Sequence, residues 1–279
     1  MNYRLFVPER HGAGAPLLVA LHGCRQDAED FAQGTRFDVF GERLGSLVLY
    51  PEQDERANGQ RCWNWFLPEN QRRDGPEPSA ILQLVERTIV EHGVDRNRVF
   101  VAGLSAGASL AAILAEQAPD VFAGVASMAG VALFAARDVQ TAYAAMRGEG
   151  DVPALDGGRH ALFRRSRAIV WTGLRDRRVA PVNAVRLAEQ FAGMYGLGAR
   201  PSASQHLEEE ALPDGRRLRW HDRSGRVRVE LRELENVGHA WSGGSLRGSF
   251  TAPSGPSFSH AVFQFFLREH YAEVMRRCG

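Results

Sequence analysis

A serine flanked by small residues, in Gly103-Leu104-Ser105-Ala106-Gly107, follows the apolar run Val99-Phe100-Val101-Ala102 and leads straight into Ala108-Ser109-Leu110-Ala111-Ala112-Ile113-Leu114. A G-x-S-x-G segment between a strand and a helix is a nucleophile elbow. The tight turn lifts the hydroxyl above the sheet, and the glycines let strand and helix approach closely. The chemistry implied is attack on an acyl carbonyl. Alone, the pentapeptide fits a plain turn equally well; the strand before it and the helix after it favour the nucleophile.

A serine hydroxyl is a poor nucleophile at neutral pH, so it needs a base within hydrogen-bond reach and a carboxylate to orient that base. Behind an elbow of this kind the partners come in the order acid, then histidine, each beyond the carboxyl end of a later strand. The run Ala168-Ile169-Val170-Trp171-Thr172 ends at Gly173, and Asp176 follows three residues on, ahead of Val179, Pro181 and an amphipathic stretch from Val185 to Phe191. The alternating segment Val227 to Leu234 reads as a strand with one buried face and delivers Asn236-Val237-Gly238-His239-Ala240-Trp241. Taken singly, Asp176 reads as a cap or turn residue and His239 as a solvated loop histidine. Their order and their strand ends select them together. Asp151 and Asp156 precede the relevant strand, and Asp222 lies in the apparent hairpin turn His221-Asp222-Arg223-Ser224-Gly225.

Acyl transfer also needs donors for the developing oxyanion. The residue after the nucleophile supplies one, the N–H of Ala106. The second belongs to the loop after an earlier central strand, here Pro16 to Leu21 followed by His22-Gly23-Cys24, and is assigned to the N–H of Cys24. His22 lies upstream of the elbow, where a positional role is expected rather than that of general base.

The elements that must hold these groups alternate between strand and helix, the pattern of a mostly parallel sheet covered on both faces. Strands are expected at Tyr3 to Val7, Leu17 to Leu21, Ser46 to Tyr50, Val99 to Ala102, Ala123 to Ser127, Arg167 to Thr172 and Val227 to Leu234. Helices are expected at Glu29 to Leu44, Ser79 to Glu91, Ala106 to Gln117, Pro181 to Tyr195 and Ser257 to Met275. The stretch 131–165, with Gly148, Gly150, Gly157 and Gly158, suits a small helical cap, and Gly196 to Leu218 reads as irregular and exposed. With 279 residues, 44% of them hydrophobic, one α/β catalytic domain spanning 1–279 is expected. No segment has the apolar length of a membrane span. A net charge of +1 argues against nucleic acid or an anionic membrane as partner.

The chain contains no lysine, so all 34 of its Lys-plus-Arg side chains are arginine. That excludes a Schiff-base lysine, a pyridoxal phosphate anchor and a Walker lysine. The nine histidines show no metal-ligand spacing, and no metal or other cofactor is expected.

Leu21-His22-Gly23-Cys24, Arg61-Cys62-Trp63-Asn64-Trp65-Phe66, the elbow, the Gly173-x-x-Asp176-x-x-Val179-x-Pro181 run and Gly238-His239-Ala240-Trp241-Ser242-Gly243-Gly244 resemble the polyhydroxybutyrate depolymerase family of esterases, with feruloyl and acetylxylan esterases as near relatives. The resemblance covers nearly the whole chain, with its motifs in the family's order. It implies an α/β-hydrolase fold and a secreted-type serine esterase that cleaves polyhydroxyalkanoate-type, feruloyl or acetyl esters through an acyl-enzyme. The partner would be a small or oligomeric ester. The family's extracellular members carry an appended polymer-binding module and a leader that are not visible here. Attack on crystalline polyester is therefore not expected, and the location is either secreted or periplasmic after loss of a leader, or cytoplasmic. A serine peptidase of the same fold and a non-catalytic binding protein stay open as alternatives.

The resemblance further implies a disulfide between Cys24 and Cys62, against two buried free thiols as the other reading; Cys278 is left over. Trp63, Trp65, His22 and Trp241 are the expected substrate contacts. Loop anchoring is the equal alternative for Trp63 and Trp65, and packing is the preferred role of Trp241.

Overall fold

A computed structural model describes residues 1–156, 166–197 and 207–267. Its centre is a nine-stranded sheet of β1 (Asn2–Phe6), β2 (Leu17–Leu21), β3 (Leu47–Glu52), β4 (Val99–Leu104), β5 (Gly124–Met128), β6 (Arg167–Gly173), β7 (Leu207–Leu212), β8 (Gly215–His221) and β9 (Val227–Leu234). The spatial order is β1-β3-β2-β4-β5-β6-β9-β8-β7. The six strands from β3 to β9 in that order run parallel, while β1 and the β7-β8 pair add antiparallel margins. β2 is Leu-Leu-Val-Ala-Leu and wholly buried, as a central parallel strand covered on both faces requires.

Seven helices are described: α1 (Ala28–Thr35), α2 (Phe37–Leu44), α3 (Pro76–His92), α4 (Ala106–Gln117), α5 (Val139–Met146), α6 (Val182–Met194) and α7 (Phe258–Phe266). Side chains alternate across the strands, so the sheet divides the interior into two cores. Leu17, Val19 and Leu21 join Ile81, Leu110, Leu187 and Phe191 of α3, α4 and α6. Leu18 and Ala20 point the other way, toward Phe31, Phe37, Phe258 and Phe263 of α1, α2 and α7. Two further two-residue strands, β10 (Trp241–Ser242) and β11 (Thr251–Ala252), pair outside the main sheet.

Two expectations are corrected. The helix expected over Glu29 to Leu44 is two helices, broken at Arg36, whose φ of 57° is left-handed and whose N–H closes α1 on the Ala32 carbonyl. The residue at the break is neither glycine nor proline, although Gly34 stands in the last turn of α1. The break redirects the chain so that the ring of Phe37 meets Trp241 and Phe263 edge-on, at 5.3 and 5.8 Å between centroids. The segment expected to be irregular up to Leu218 contains β7 and most of β8; residues 198–206 lie outside the described residues. Its strands are strongly charged and are joined by facing pairs, Glu210 with Arg217 and Arg216 with Glu233, which satisfy cross-strand complementarity, while Leu218 and Trp220 of β8 alternate onto the core. The final helix is described only to Phe266, and both its expected extension to Met275 and Cys278 fall outside the described residues. Of the stretch read as a cap, α5 is described, opened by an Asp138 and Thr141 capping box, and 157–165 is not.

Phe37 has no exposed surface. Phe37→Ala is expected to cost about 3 to 5 kcal/mol, read as a lowered midpoint in denaturant unfolding.

Candidate active site

The motif residues gather because four parallel strands end at one edge of the sheet. Cys24 follows β2, Ser105 follows β4, Asp176 follows β6 and His239 follows β9, and loops beyond the carboxyl ends of parallel strands share one side of such a sheet. Ser105 occupies the cap position of α4 with φ 56° and ψ −120°. That conformation costs a non-glycine residue about 1 to 3 kcal/mol. Close backbone contact maintains it. A Cβ on Gly103 would lie 2.3 Å from the Gly107 carbonyl, and one on Gly107 would lie 2.2 Å from the Leu21 oxygen. The Ser105 N–H donates to the Met128 carbonyl at 3.0 Å, fixing the turn to the end of β5. One helical turn on, the Ser109 hydroxyl donates to the Ser105 carbonyl at 3.2 Å and accepts from the Val131 N–H at 2.9 Å.

Asp176 has no exposed side-chain surface. Its Oδ1 accepts from the Arg178 and Val179 N–H groups at 2.8 and 2.9 Å, leaving Oδ2 for His239 Nδ1 at 2.7 Å. The other ring nitrogen, Nε2, lies 2.8 Å from Ser105 Oγ. An N–H at Nδ1 donating to the carboxylate leaves a lone pair at Nε2 for the serine proton. The acid loop and the histidine loop are fastened to each other, since the Leu174 and Arg175 N–H groups donate to the Leu234 and Val237 carbonyls at 2.8 and 3.0 Å. Below the histidine, Trp241 is buried among Phe31, Phe37 and Phe258, and its indole N–H donates to Ser259 Oγ at 2.9 Å.

The expected oxyanion donors are the amides of Cys24, in the loop after β2, and Ala106, the first residue of α4. Among the described residues neither donates to an acceptor of the chain. Cys24 is joined to Cys62 by a disulfide. Closing a span of 38 residues in this way restricts the unfolded chain by about 4 kcal/mol in the loop-entropy picture. The neighbouring Arg25 N–H donates to the Gln60 carbonyl at 2.7 Å, and the Gly23 N–H to Gln26 Oε1 at 2.9 Å.

Of the four residues named as substrate contacts, three are internal supports, the roles preferred for His22 and Trp241 and the loop-anchoring alternative for Trp63. Trp63 has no exposed surface, and its indole N–H donates to the His22 carbonyl at 3.0 Å. His22 is equally buried: Nδ1 donates to the Gly23 carbonyl at 2.7 Å and Nε2 accepts from the Gln53 N–H at 3.1 Å. With both nitrogens engaged, its ring is held as one neutral tautomer and is not free to act as a base. Trp241 packs as described above. Trp65 is all but buried and forms an edge contact with Phe66 at 5.8 Å. Rival acids are committed elsewhere: Asp222 accepts from Ser224 and Arg226 within the β8-β9 turn, while Asp151 and Asp156 make no contact with the three convergent side chains.

Sequence reasoning missed the groups that support the Trp63 loop. Glu77, in the first turn of α3, is buried and accepts from Gln53 and from both the backbone and side chain of Asn64. An acidic residue after Gly75-Pro76 reads as an ordinary helix start, so nothing local distinguishes it.

An acid, an imidazole and an elbow serine at the carboxyl edge of a doubly covered, mostly parallel sheet define an α/β-hydrolase. The chain belongs to the esterase PHB depolymerase family, whose model matches residues 1–211. It is 35% identical to poly(3-hydroxyalkanoate) depolymerase C of Paucimonas lemoignei over 73% of this chain and 51% of that protein, so it spans about half the length of that relative. Feruloyl esterase B of Neurospora crassa is 28% identical over 70% of this chain and 71% of its own. The solved acetyl xylan esterase of Aspergillus awamori superposes with a TM-score of 0.76, covering 95% of this chain and 93% of the other at 20% identity, a likeness of fold. Among the described residues no helix is long and apolar enough to cross a membrane.

Burial lowers the His22 pKa below its ordinary 6.5. Above about pH 6.5 the ring is neutral in both folded and unfolded chains, and its contribution to stability is complete. As pH falls from there toward the lowered folded value, only the unfolded chain takes up the proton, so stability drops by up to about 1.4 kcal/mol per pH unit. Denaturant unfolding of wild type and His22→Gln at pH 7.5, 6.5 and 5.5 checks this. The wild-type advantage is expected to shrink toward pH 5.5.

Proposed function

We propose that the chain hydrolyses carboxylic esters by two-step acyl transfer, with Ser105 as nucleophile, His239 as general base and then acid, and Asp176 as the residue that orients the ring. The observation that carries this reading is the continuous hydrogen-bond line from Asp176 Oδ2 through His239 to Ser105 Oγ, at 2.7 and 2.8 Å. His239 Nε2 takes the serine proton as Oγ attacks the ester carbonyl. Asp176 holds Nδ1–H and stabilises the imidazolium that forms. The Cys24 and Ala106 amides receive the oxyanion of the tetrahedral intermediate, which collapses as the imidazolium returns its proton to the departing alcohol. Water repeats the cycle on the acyl-enzyme and releases the acid.

The substrate we propose is a soluble ester with a short apolar or aromatic acyl group, of the polyhydroxyalkanoate, feruloyl or acetyl kind. The poly(3-hydroxyalkanoate) depolymerase and feruloyl esterase relatives support this choice, and Gln71 links two loops of the chain. Its side-chain amide donates to the Trp65 carbonyl at 3.1 Å and to the Ala136 carbonyl at 2.7 Å. Half-buried Phe66 and Phe134 are thereby brought to neighbouring loops that both pack on the core containing α4.

Ser105→Ala is expected to lower kcat on p-nitrophenyl butyrate by about 10⁵ to 10⁶ and to abolish labelling by a fluorophosphonate, while Asp176→Asn lowers kcat by about 10⁴. Undiminished turnover by Ser105→Ala would overturn the assignment. Feruloyl, acetyl and 3-hydroxybutyryl esters, assayed beside an aminoacyl anilide, identify the acyl class; faster cleavage of the anilide would favour a peptidase.

A further inference from the structure

We infer that Glu77 is a positioning residue for the oxyanion site: its buried carboxylate holds, through Gln53, Asn64, Trp63 and His22, the backbone turn that presents the Cys24 amide. This rests on the mechanism proposed above and adds a residue that touches neither substrate nor triad.

The Glu77 carboxylate faces N–H donors on both oxygens. Oε1 accepts from Gln53 Nε2 at 2.6 Å, from Asn64 Nδ2 at 2.7 Å and from the Asn64 backbone at 3.1 Å, while Oε2 accepts from that same backbone N–H at 2.9 Å. Its own N–H donates to Asn70 Oδ1 at 3.1 Å, and Asn70 Nδ2 returns to the Asn64 carbonyl at 3.2 Å. No arginine is paired with it among the described residues. A charged group buried this way persists only where its acceptor capacity is filled, and here amide donors fill it.

From Glu77 the network leads directly to the loop after β2. Gln53 shares its side-chain N–H₂ between Glu77 and the Cys62 carbonyl, the latter at 3.1 Å. The Gln53 backbone N–H donates to His22 Nε2. Asn64 follows Trp63, whose indole N–H donates to the His22 carbonyl. His22 is therefore gripped at its ring by Gln53, which is bonded to Glu77, and at its carbonyl by Trp63, whose neighbour Asn64 is bonded to Glu77, and Cys24 lies two residues beyond it. The disulfide joins Cys24 to the same loop, at Cys62. Apart from the Gly23 N–H bond to Gln26, these fastenings reach the oxyanion turn from Gln53 and the Trp63 loop, and Glu77 is where Gln53 and Asn64 converge. An oxyanion amide acts only when it is aimed at the position the oxygen takes in the tetrahedral state, so an error in aim lowers kcat while leaving ground-state binding nearly intact.

Glu77→Gln changes one atom and turns an acceptor into a donor. With the amide oxygen at the Oε1 position, the new N–H₂ faces the Asn64 N–H, two donors opposed, and the Trp63 loop must shift. In the folded variant, kcat on p-nitrophenyl butyrate is expected to fall about 10- to 100-fold with KM within twofold; loss of a whole oxyanion donor costs about 10²- to 10³-fold. A trifluoromethyl ketone, which adds to Ser105 as a tetrahedral oxyanion, is expected to bind more weakly by the same factor. Near-UV circular dichroism and the thermal midpoint establish that the compared proteins are folded. An unchanged kcat, or a fall in kcat without weaker ketone binding, overturns the proposal.

If Glu77→Gln does not fold, Gln53→Met decides. It keeps the backbone donor to His22 and removes the side-chain links to Glu77 and Cys62, together with the Gln53 Oε1 acceptor of the Asp54 N–H. A loss in kcat and in ketone affinity of about 3- to 10-fold supports the network, and no loss overturns it. Failure of the underlying mechanism looks different, because the wild-type enzyme would then not be inhibited by the ketone at all.

Discussion

Gly107 comes so near the end of β2 that a methyl group there would lie 2.2 Å from the Leu21 carbonyl oxygen. Everything at the carboxyl edge of the sheet depends on that approach. It lets α4 begin directly after β4, which forces Ser105 into a left-handed turn and points its hydroxyl away from the sheet. It also brings the start of α4 against the backbone of Leu21 and His22, where β2 passes into its loop. The strain at Ser105 is offset by neighbours that make any other path costlier, including the bond from its N–H to Met128 and the Ser109 hydroxyl behind it.

The two halves of the edge are held by different physics. Beneath His239 the support is apolar: Trp241 packs among three phenylalanine rings, and its single polar atom is satisfied by Ser259. On the Cys24 side the support is polar and buried, built from His22, Gln53, Asn64 and Glu77, and closed by a disulfide. Apolar packing is tolerant of small shifts and suits a loop whose histidine, in the mechanism we propose, moves protons. Buried hydrogen bonds are directional and fail abruptly when one partner is lost. They suit a backbone amide whose use depends on where it points.

The three convergent side chains were legible because an elbow constrains its partners: order along the chain and position beyond strand ends excluded Asp151, Asp156 and Asp222 without knowledge of any distance. The central strands were legible for a related reason, since β2 and β4 are apolar throughout. What remained hidden was set by contacts between distant segments. The break at Arg36 falls on neither glycine nor proline, and its cause is the place Phe37 takes beside Trp241. β7 reads Leu-Glu-Glu-Glu-Ala-Leu, which suggests no strand until its acids are set against the arginines of β8. Trp63 looked suited to a cleft wall because it stands in a polar loop; those polar neighbours turn inward to Glu77, and the indole follows them into the core.

An all-arginine complement of basic groups bears on the same division of labour. Arginine's planar fork meets carboxylates on two nitrogens, as Arg96 does with Glu86 and Arg72 with Asp74. Such pairs lie mostly on exposed surfaces, where each contributes little. At the β7-β8-β9 margin they line up across strands, Arg216 with Glu233 and Arg219 with Glu230, and there the partner carboxylates are nearly buried. Charge pairing thus joins the outer strands, whose Leu218 and Trp220 also pack on the core, while beside the loop after β2 neutral amides surround the buried carboxylate of Glu77, which has no arginine partner among the described residues. An arginine beside Glu77 would neutralise that charge but would also compete with Gln53 and Asn64 for its oxygens. Amide donors alone leave the carboxylate free to fix two separate strands of loop at once, and with them the turn that carries Cys24.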